Sequence, residues 1–354
     1  MPTRSPVLLE VKDLHVHFPG VEGVVRAVDG ASFTLHRGET LGLVGESGCG
    51  KSVMARSILR IVPSPGRIMA GQILYHRPVG GRAETVELTA LDPEDSMLRF
   101  IRGLEMALIF QEPQSSLNPV YTIGQQIVEA ICLHQPVSKQ QALQQAIAML
   151  GQVGMPDAAR TVHCYPHQLS GGMCQRAMIA LALSCNPNLL IADEPTTALD
   201  VTTGAQILEL MLDLQHEFGM AILFITHNLG LIAQMTERVL VMYLGRIVEE
   251  ADVDTLFYHP LHPYTQALLR SIPRLGPRDR HARLHSIRGT VPEPYATPPG
   301  CPFHPRCEQM RPGICDQEEP PWVTITAEHG VRCGLYSSTT SSAISAHSNR
   351  RCGR

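Results

Sequence analysis

The sequence lacks long apolar runs, a strong excess of either charge, and a recognisable export leader. None of its uninterrupted apolar runs approaches the roughly 18 residues that indicate a membrane span, so we expect no transmembrane segment. The 29 Lys and Arg against 33 Asp and Glu give a formal net charge of −4, which leaves no global basic surface for nucleic acid. The N-terminus, MPTRSPVLLEVKDL, has no long apolar segment followed by a small-residue cleavage site, and we therefore do not expect secretion.

The composition is that of a globular protein, and two residue types are unevenly placed. The chain has 354 residues, of which 44% are hydrophobic and 18% charged, a length that favours two domains. Thirteen of the 27 prolines lie between Pro260 and Pro321, and four of the 10 cysteines lie in or just beyond that stretch. The uneven placement predicts a domain boundary near residue 258.

The two sides of this boundary predict different folds. Residues 1–258 alternate short apolar runs with longer helical patterns, which indicates an α/β domain with a parallel sheet. In residues 259–336, frequent proline limits regular structure and favours a small fold held by loops and side-chain crosslinks. The Ser/Thr-rich stretch of residues 337–354 is predicted to be a disordered tail.

Four apolar runs of the first domain each end in polar residues. They are Thr40–Val44 before GESGCGKS, Met106–Phe110 before Gln111, Leu189–Ala192 before Asp193 and Glu194, and Ala221–Thr226 before His227. Ligands of open parallel α/β sheets bind outside the carboxyl ends of the strands. The pattern therefore predicts one shared site.

The segment GESGCGKS satisfies the phosphate-binding pattern G-x-x-x-x-G-K-[ST]. Its glycines allow backbone N–H groups to surround phosphate oxygens at the start of a helix. Lys51 would reach the β- and γ-phosphates, and the Ser52 hydroxyl would ligate Mg²⁺. A chance glycine-rich turn is the alternative. The residues expected to contact the nucleotide are Gly45, Ser47, Gly48, Cys49, Gly50, Lys51 and Ser52.

Two adjacent acids, Asp193 and Glu194, end the third apolar run. Carboxylates at the end of a buried strand are costly unless a cation or hydrogen bonds satisfy them, and a nucleotide with magnesium would do so. Asp193 would hold the metal, and Glu194 would act as general base on the attacking water. The alternative is an ordinary strand-end turn stopped by Pro195.

The segment QLSGGMCQR (Gln168 to Arg176) points to a family. Together with GESGCGKS, IFQEPQSSLNP, LLIADEPTTALD and FITHN, it resembles the ATP-binding subunit of an ABC transporter over residues 8 to about 258. His262-Pro263-Tyr264-Thr265 and the later GCPFHPRC resemble the oligopeptide/dipeptide importer branch. The resemblance implies an ABC-type P-loop NTPase domain, with a helical subdomain at about 112–185, and a small Pro/Cys-rich C-terminal domain.

The resemblance also implies roles for further residues. Phe18 would stack on adenine, with a core phenylalanine as the alternative. Gln111 would contact magnesium and the attacking water, and His227 would contact the γ-phosphate. Ser170, Gly171 and Gly172 resemble the signature motif, which binds the γ-phosphate of ATP held by a partner ATPase. Asp200 fits the loop that communicates between the two sites.

Three positions depart from the family pattern. Cys174 stands where the branch usually has Arg or another polar residue, Asn228 follows His227 where Asp is usual, and Glu112 replaces the usual Asp after Gln111. None of them alters Lys51, Gln111, Glu194 or His227. The resemblance therefore still implies a competent ATPase site.

Four cysteines of the C-terminal part follow the spacing C-x5-C-x7-C-x17-C, namely Cys301, Cys307, Cys315 and Cys333. Two disulfides, a structural zinc with four thiolates, a four-iron, four-sulfur cluster and no ligand at all are the open alternatives. The resembled branch implies a [4Fe-4S] cluster here. The other six cysteines, Cys49, Cys132, Cys164, Cys174, Cys185 and Cys352, are expected to be core or loop residues.

The resemblance implies an ATPase that drives import of di- or oligopeptides from the cytoplasmic face of the inner membrane. Its expected partners are a second ABC ATPase subunit, in a heterodimer rather than a homodimer, two transmembrane permease subunits and, indirectly, an extracytoplasmic solute-binding protein, with no nucleic acid. One alternative is the same role for another small solute such as glutathione or nickel. Another is a soluble ABC ATPase acting on nucleic acid or ribosomes, and a third is an Fe–S regulatory protein that only binds nucleotide.

Overall fold

The computed structural model describes residues 5–80, 82–197, 199–272, 287–293 and 295–337. Its strands are β1 (Val7–Gly20), β2 (Gly23–His36), β3 (Thr40–Val44), β4 (Arg67–Val79), β5 (Arg82–Glu87), β6 (Met106–Ile109), β7 (Leu189–Asp193), β8 (Ala221–Thr226), β9 (Arg238–Tyr243), β10 (Arg246–Asp252), β11 (Trp322–Thr326) and β12 (His329–Arg332). Its helices are α1 (Lys51–Ile58), α2 (Ser96–Leu104), α3 (Pro113–Ser116), α4 (Ile123–His134), α5 (Lys139–Gln152), α6 (Ala158–Thr161), α7 (Gly171–Leu183), α8 (Val201–Phe218), α9 (Leu229–Met235), α10 (Val253–Tyr258) and α11 (Pro263–Ser271).

The main sheet has eight strands in the order β11-β12-β10-β9-β3-β8-β7-β6. The five strands from β9 to β6 are parallel, while β10, β12 and β11 continue the sheet in antiparallel pairing. The predicted α/β class and the four predicted strands are therefore confirmed, with β6 ending one residue earlier and β7 one residue later than expected. Because β3, β6, β7 and β8 run in the same direction, their carboxyl ends meet at one edge.

The parallel strands β3, β7, β8 and β9 are buried along their whole length because the sheet has a hydrophobic core on each face, and only Leu108 of β6 is partly buried. Along β3, Leu41 and Leu43 belong to one core and Val44 to the other. Along β7, Leu189 and Ile191 pack with Leu41, whereas Leu190 and Ala192 pack on the opposite side. This alternation explains why these strands read as continuous apolar runs.

A second, antiparallel sheet, in the order β2-β1-β4-β5, packs against one of these cores. Helices α3 to α7 follow β6 and precede β7, and they occupy the range predicted for the helical subdomain. Both α4 and α5 begin with a capping box, formed by Thr122 with Gln125 and by Ser138 with Gln141. Among the described residues, no helix combines the length and the apolar character needed to cross a membrane.

Helix α10 ends at Tyr258, and the domain boundary near residue 258 stays a prediction. Beyond it, the chain forms α11 and the β11–β12 hairpin, and β12 pairs with β10 of the main sheet. The buried Glu249 of β10 accepts hydrogen bonds from the backbone N–H groups of Leu261 and His262 and from His329 Nε2, at 2.7, 2.9 and 2.8 Å. The predicted tail lies, apart from Ser337, outside the described residues.

Candidate active site

The phosphate-binding loop joins β3 to α1 at the carboxyl edge of the sheet. Gly50 precedes α1 with a φ of 106°, which favours glycine, and Gly45 is buried against the carbonyl oxygen of Met242. Lys51 is 5% exposed, and its Nζ donates to the carbonyl oxygens of Gly45 and Glu46 at 2.8 and 3.1 Å. The loop carbonyl groups therefore hold the Lys51 ammonium group at the start of α1. Anions are favoured at the N-terminus of a helix.

Glu194 is the point where the other strand ends converge. Its Oε2 accepts hydrogen bonds from Gln111 Nε2 at 3.1 Å and from Thr197 Oγ1 at 2.9 Å. His227 Nδ1 lies 3.0 Å from its Oε1. The structure thus brings together the three residues that the sequence predicted at the ends of β6, β7 and β8.

The environment of Glu194 favours its ionised form. Burial alone would raise the pKa of this carboxyl, but the hydrogen bonds from His227 and Thr197 hold the pKa below its usual value. Its backbone has a φ of 48°, and its N–H donates to the carbonyl oxygen of Ile225 at 2.9 Å. The side chain is therefore fixed as a carboxylate at the edge of the sheet.

Asp193 lies beside Glu194 but in a different environment. It is 4% exposed, and burial raises the pKa of its carboxyl, while a hydrogen bond with Ser52 opposes that shift. Its Oδ1 is buried and has no hydrogen-bond partner among the described residues. A buried acceptor of this kind, next to a serine hydroxyl, matches the oxygen ligands that Mg²⁺ requires.

A cleft with about 370 Å³ of free volume joins these elements. It is lined by Phe18, Val25, Arg26, Ala27, Ser47, Gly48, Gly50, Lys51, Ser52, Val53, Gln111, Glu194, Leu244, Gly245 and Thr297. Phe18 therefore lies in the same cleft as the phosphate-binding loop. Gly45, Cys49 and Asp193 are buried and are not part of this lining.

The four cysteines of the C-terminal part line one small cavity, whose free volume is about 10 Å³. All four are free thiols. Burial raises the pKa of Cys301 to about 11 and that of Cys333 to about 12, and backbone N–H groups following each residue oppose the rise. The backbone N–H of Arg311 donates to Cys315 Sγ at 3.4 Å. The structure therefore brings all four predicted ligands together, with N–H donors on their sulfur atoms.

Comparisons with known proteins agree with this geometry. A family model described as "ABC transporter" matches residues 28–197, and one described as "Oligopeptide/dipeptide transporter, C-terminal region" matches residues 248–315. The putative peptide import ATP-binding protein BMEII0863 of Brucella melitensis is 49% identical over 336 residues, which cover 94% of this chain and 97% of that protein. The oligopeptide transport ATP-binding protein AppD of Bacillus subtilis is 49% identical over 331 residues, which cover 93% of this chain and 97% of that protein.

A solved structure shares the fold of the first domain. The dimeric, post-hydrolysis ATP-binding cassette MJ0796 bound to ADP and Pi superposes with a TM-score of 0.59 at 26% identity, covering 70% of this chain and 99% of that chain. This chain belongs to the ABC transporter family of ATP-binding subunits. The predicted ABC-type nucleotide-binding domain is confirmed, and the protein is an ABC-type ATPase.

The segment that resembles the ABC signature lies at the start of α7. Ser170 caps this helix and accepts a hydrogen bond from the backbone N–H of Met173 at 3.4 Å. A Cβ atom on Gly172 would lie 2.7 Å from Thr203 in the first turn of α8. Asp200 caps α8 through Thr203, whose N–H and Oγ1 donate to it at 2.9 and 2.8 Å. The signature segment and Asp200 therefore form a second region, which does not contribute to the lining of the described cleft.

The three departures from the ABC pattern have local partners. Cys174 is buried in the core, and its thiol donates to the carbonyl oxygen of Pro166 at 3.5 Å. Asn228 caps α9 by accepting from the N–H of Gly230 at 2.9 Å, as an aspartate could. Glu112 is exposed and accepts from Ser115 Oγ at 3.3 Å. Within the part of the chain that the structure describes, no hydrogen bond or ion pair joins any of the three to Lys51 or Glu194.

Sequence reasoning missed several residues around the ATPase site. Thr197, which donates to Glu194, lies in the quoted motif LLIADEPTTALD, so a hydroxyl three residues after the acid was the available signal. Arg26 and Thr297 line the cleft. Tyr264 and Arg306 both contact Glu46 of the phosphate-binding loop, and no local pattern links residues so distant in sequence.

Proposed function

We propose that this chain hydrolyses ATP to drive the import of di- or oligopeptides through a separate membrane permease. The convergence of Gln111, Thr197 and His227 on Glu194, beside the phosphate-binding loop, is the observation that carries the ATPase mechanism. The names of the relatives and the match of residues 248–315 support peptides as the cargo.

ATP would lie in the cleft between Phe18 and the phosphate-binding loop. Phe18 would stack on the adenine, and Lys51 would turn from the loop carbonyls to the β- and γ-phosphates. Ser52, Asp193 and Gln111 are the residues that would hold Mg²⁺, which neutralises phosphate charge when it is bound. The unpartnered Oδ1 of Asp193 supports this assignment.

Glu194 would accept a proton from the water that attacks the γ-phosphate. The lowered pKa of Glu194 keeps its side chain a carboxylate at neutral pH, which makes it a weak base. It can therefore accept a proton only from a water that the phosphate has polarised. Gln111, which donates to the same carboxylate, would orient that water. The other ring nitrogen of the half-exposed His227, Nε2, would face the γ-phosphate and donate an N–H to it when the ring carries both protons.

The signature residues Ser170, Gly171 and Gly172, with Asp200, would serve the ATP of a second ATPase subunit. These residues do not line the chain's own cleft. Their position supports the assignment to the ATP of the second subunit, since the second site of a cassette dimer lies across the interface. We propose a heterodimer at the cytoplasmic face of the inner membrane. It would bind two permease subunits and act indirectly with an extracytoplasmic solute-binding protein.

The experiment replaces the base while retaining the shape of the site. Glu194→Gln should retain ATP binding and lose nearly all ATP hydrolysis by the reconstituted transporter, because the amide cannot accept the proton. Glu112→Gln, at an exposed acid next to Gln111, is the matched control and should hydrolyse ATP normally. Hydrolysis by Glu194→Gln at the wild-type rate would show that the base is another group. Peptide uptake into proteoliposomes tests the cargo.

We also propose that the four cysteines hold a [4Fe-4S] cluster, with zinc as the competing ligand. The same four thiolates, which line one cavity, could hold either group. Backbone N–H donors to the sulfur atoms are also typical of such sites. A bound cluster would crosslink the segment, and the residues imply no redox role.

Metal analysis of the full-length protein tests this assignment. Anaerobic purification should give a brown protein with about four iron atoms per chain, as a four-thiolate cluster requires. Cys301→Ser should weaken or abolish the colour, whereas Cys164→Ser, which lies outside the cavity, should leave it unchanged. A colourless protein with one zinc per chain would overturn the cluster in favour of zinc.

A further inference from the structure

Glu46, the second residue of the phosphate-binding loop, is held by two residues from beyond residue 258. The guanidinium of Arg306 donates to both of its carboxylate oxygens, with Nη1 2.7 Å from Oε2 and Nη2 3.0 Å from Oε1. The backbone N–H of Glu46 donates to the hydroxyl oxygen of Tyr264 at 2.9 Å. The C-terminal segment therefore contacts both the side chain and the backbone of this loop residue.

Arg306 is itself fixed in place. Its side chain is 4% exposed, and its Nε donates to the carbonyl oxygen of Arg288 at 3.0 Å. Its guanidinium carbon lies 5.9 and 6.0 Å from the ring centres of Tyr243 and Phe303, within the range of cation–π attraction. A bidentate arginine–carboxylate pair with so little freedom is the strong form of such a contact.

Tyr264 is equally constrained. It is fully buried, and its ring lies 4.7 Å from that of Tyr243 and 5.3 Å from that of Phe303. Its hydroxyl is thereby aimed at the backbone of Glu46. A phenylalanine would keep this packing and remove only the acceptor.

Glu46 does not line the cleft itself, but Ser47, which follows it directly, does. An uncompensated carboxylate at Glu46 would therefore add negative charge close to the position of a bound phosphate, and like charges repel one another. The carbonyl oxygen of Glu46 also accepts from Lys51 Nζ, so a displacement of Glu46 would reach the lysine. Arg306 neutralises the acid and Tyr264 fixes the backbone to which that acid is attached.

We propose that Arg306 and Tyr264 are positioning residues for ATP binding: they neutralise and orient Glu46, and so keep the loop able to accept phosphate. The C-terminal segment thus takes part in nucleotide affinity and not only in the attachment of the cysteine site. This inference rests on the proposed ATP site at Lys51.

The test is a titration of full-length protein with a fluorescent ATP analogue that carries the methylanthraniloyl group. Arg306→Met should weaken binding about tenfold, the factor that corresponds to 1.4 kcal/mol. Adding Glu46→Gln to Arg306→Met should recover most of the affinity, because the uncompensated carboxylate is gone. Raising the salt concentration should shrink the defect of the single variant, since mobile ions screen the repulsion.

Two further variants keep the test decisive. Tyr264→Phe should weaken binding about threefold, as expected for one lost hydrogen bond. Arg270→Met, at a half-exposed arginine of the same segment, is the matched control and should bind as the wild type does. In the reconstituted transporter, Arg306→Met should raise the KM for ATP more than it lowers kcat.

The outcomes separate the inference from the proposed function. Wild-type affinity in Arg306→Met, or a double variant no tighter than Arg306→Met, would overturn the inference and leave the ATP site intact. Wild-type protein that binds no ATP analogue, or a Lys51→Ala variant that binds it normally, would overturn the proposed function instead.

Discussion

Substituting Gly50 by alanine would place a methyl group 2.0 Å from the carbonyl oxygen of Ala27. The same methyl group would lie 3.2 Å from the carbonyl carbon of Ala27 and 3.1 Å from the end of Met242. Because real Cβ atoms essentially never approach another heavy atom within 3.0 Å, the backbone of β2 would have to move by about 1 Å. Ala27 lines the cleft in which we propose that ATP binds, so this movement would also distort that cleft.

Two costs contribute to the expected loss of stability. Gly50 has a φ of 106°, and an alanine in left-handed backbone costs roughly 1–2 kcal/mol. Overpacking in a well-packed region typically costs about 1–3 kcal/mol more. We therefore expect Gly50→Ala to lower the free energy of unfolding by about 2–5 kcal/mol, a large fraction of the usual 5–15 kcal/mol.

Gly48 of the same loop supplies the matched control. Its φ of 81° is also left-handed, but a Cβ atom there would meet nothing within 4 Å. Gly48→Ala should therefore cost only the roughly 1–2 kcal/mol of backbone strain. The difference between the two variants isolates the contact with Ala27.

The assay is urea unfolding of nucleotide-free protein, followed by intrinsic fluorescence and by far-ultraviolet circular dichroism. We expect Gly50→Ala to unfold at a clearly lower urea concentration than Gly48→Ala, which itself lies slightly below the wild type. Equal unfolding midpoints for the two variants would refute the reasoning, since the contact would then add nothing to the strain.

Two further substitutions test how other parts of the fold are held. Glu249→Gln should lower the free energy of unfolding by about 1–3 kcal/mol, because the new amide NH₂ group would face the three N–H groups that now donate to the carboxylate. Glu129→Gln, on the exposed face of α4, is the control in urea unfolding. Thr122→Ala should cost about 1 kcal/mol by removing the cap of α4, whereas Thr122→Ser should retain the cap, as measured by the same unfolding assay.

The strands and the centre of the ATPase site could be predicted from sequence because their signals are local. A fully buried parallel strand has an apolar run with a polar residue at its end, and the parallel topology brings such ends together whatever the intervening length. Gln111 and Glu194 are 83 residues apart, yet each lies directly at a strand end, so their contact followed from the pattern.

The contacts of the C-terminal segment could not be predicted in this way. Arg306 is 260 residues from Glu46, and the pairing of β12 with β10 joins two short segments with no local signal that links them. Proline frequency correctly indicated a segment with limited regular structure, but it gave no information about where that segment docks. The docking position depends on how α11 and the segment that carries the four cysteines pack against the main sheet.

The attachment of this segment explains how it reaches the phosphate-binding loop. Glu249 is fully buried on β10 and holds Leu261, His262 and His329, so the segment is tied to the same sheet that carries the phosphate-binding loop. Tyr264 lies two residues after His262, which Glu249 holds on the sheet. The position from which the Tyr264 hydroxyl contacts Glu46 is therefore fixed. Arg306 precedes Cys307 directly, so whatever constrains the cysteine cavity also constrains the arginine. The phosphate-binding loop is thus held by β3 on one side and by the C-terminal segment on the other, and we expect a change in either of them to displace Glu46.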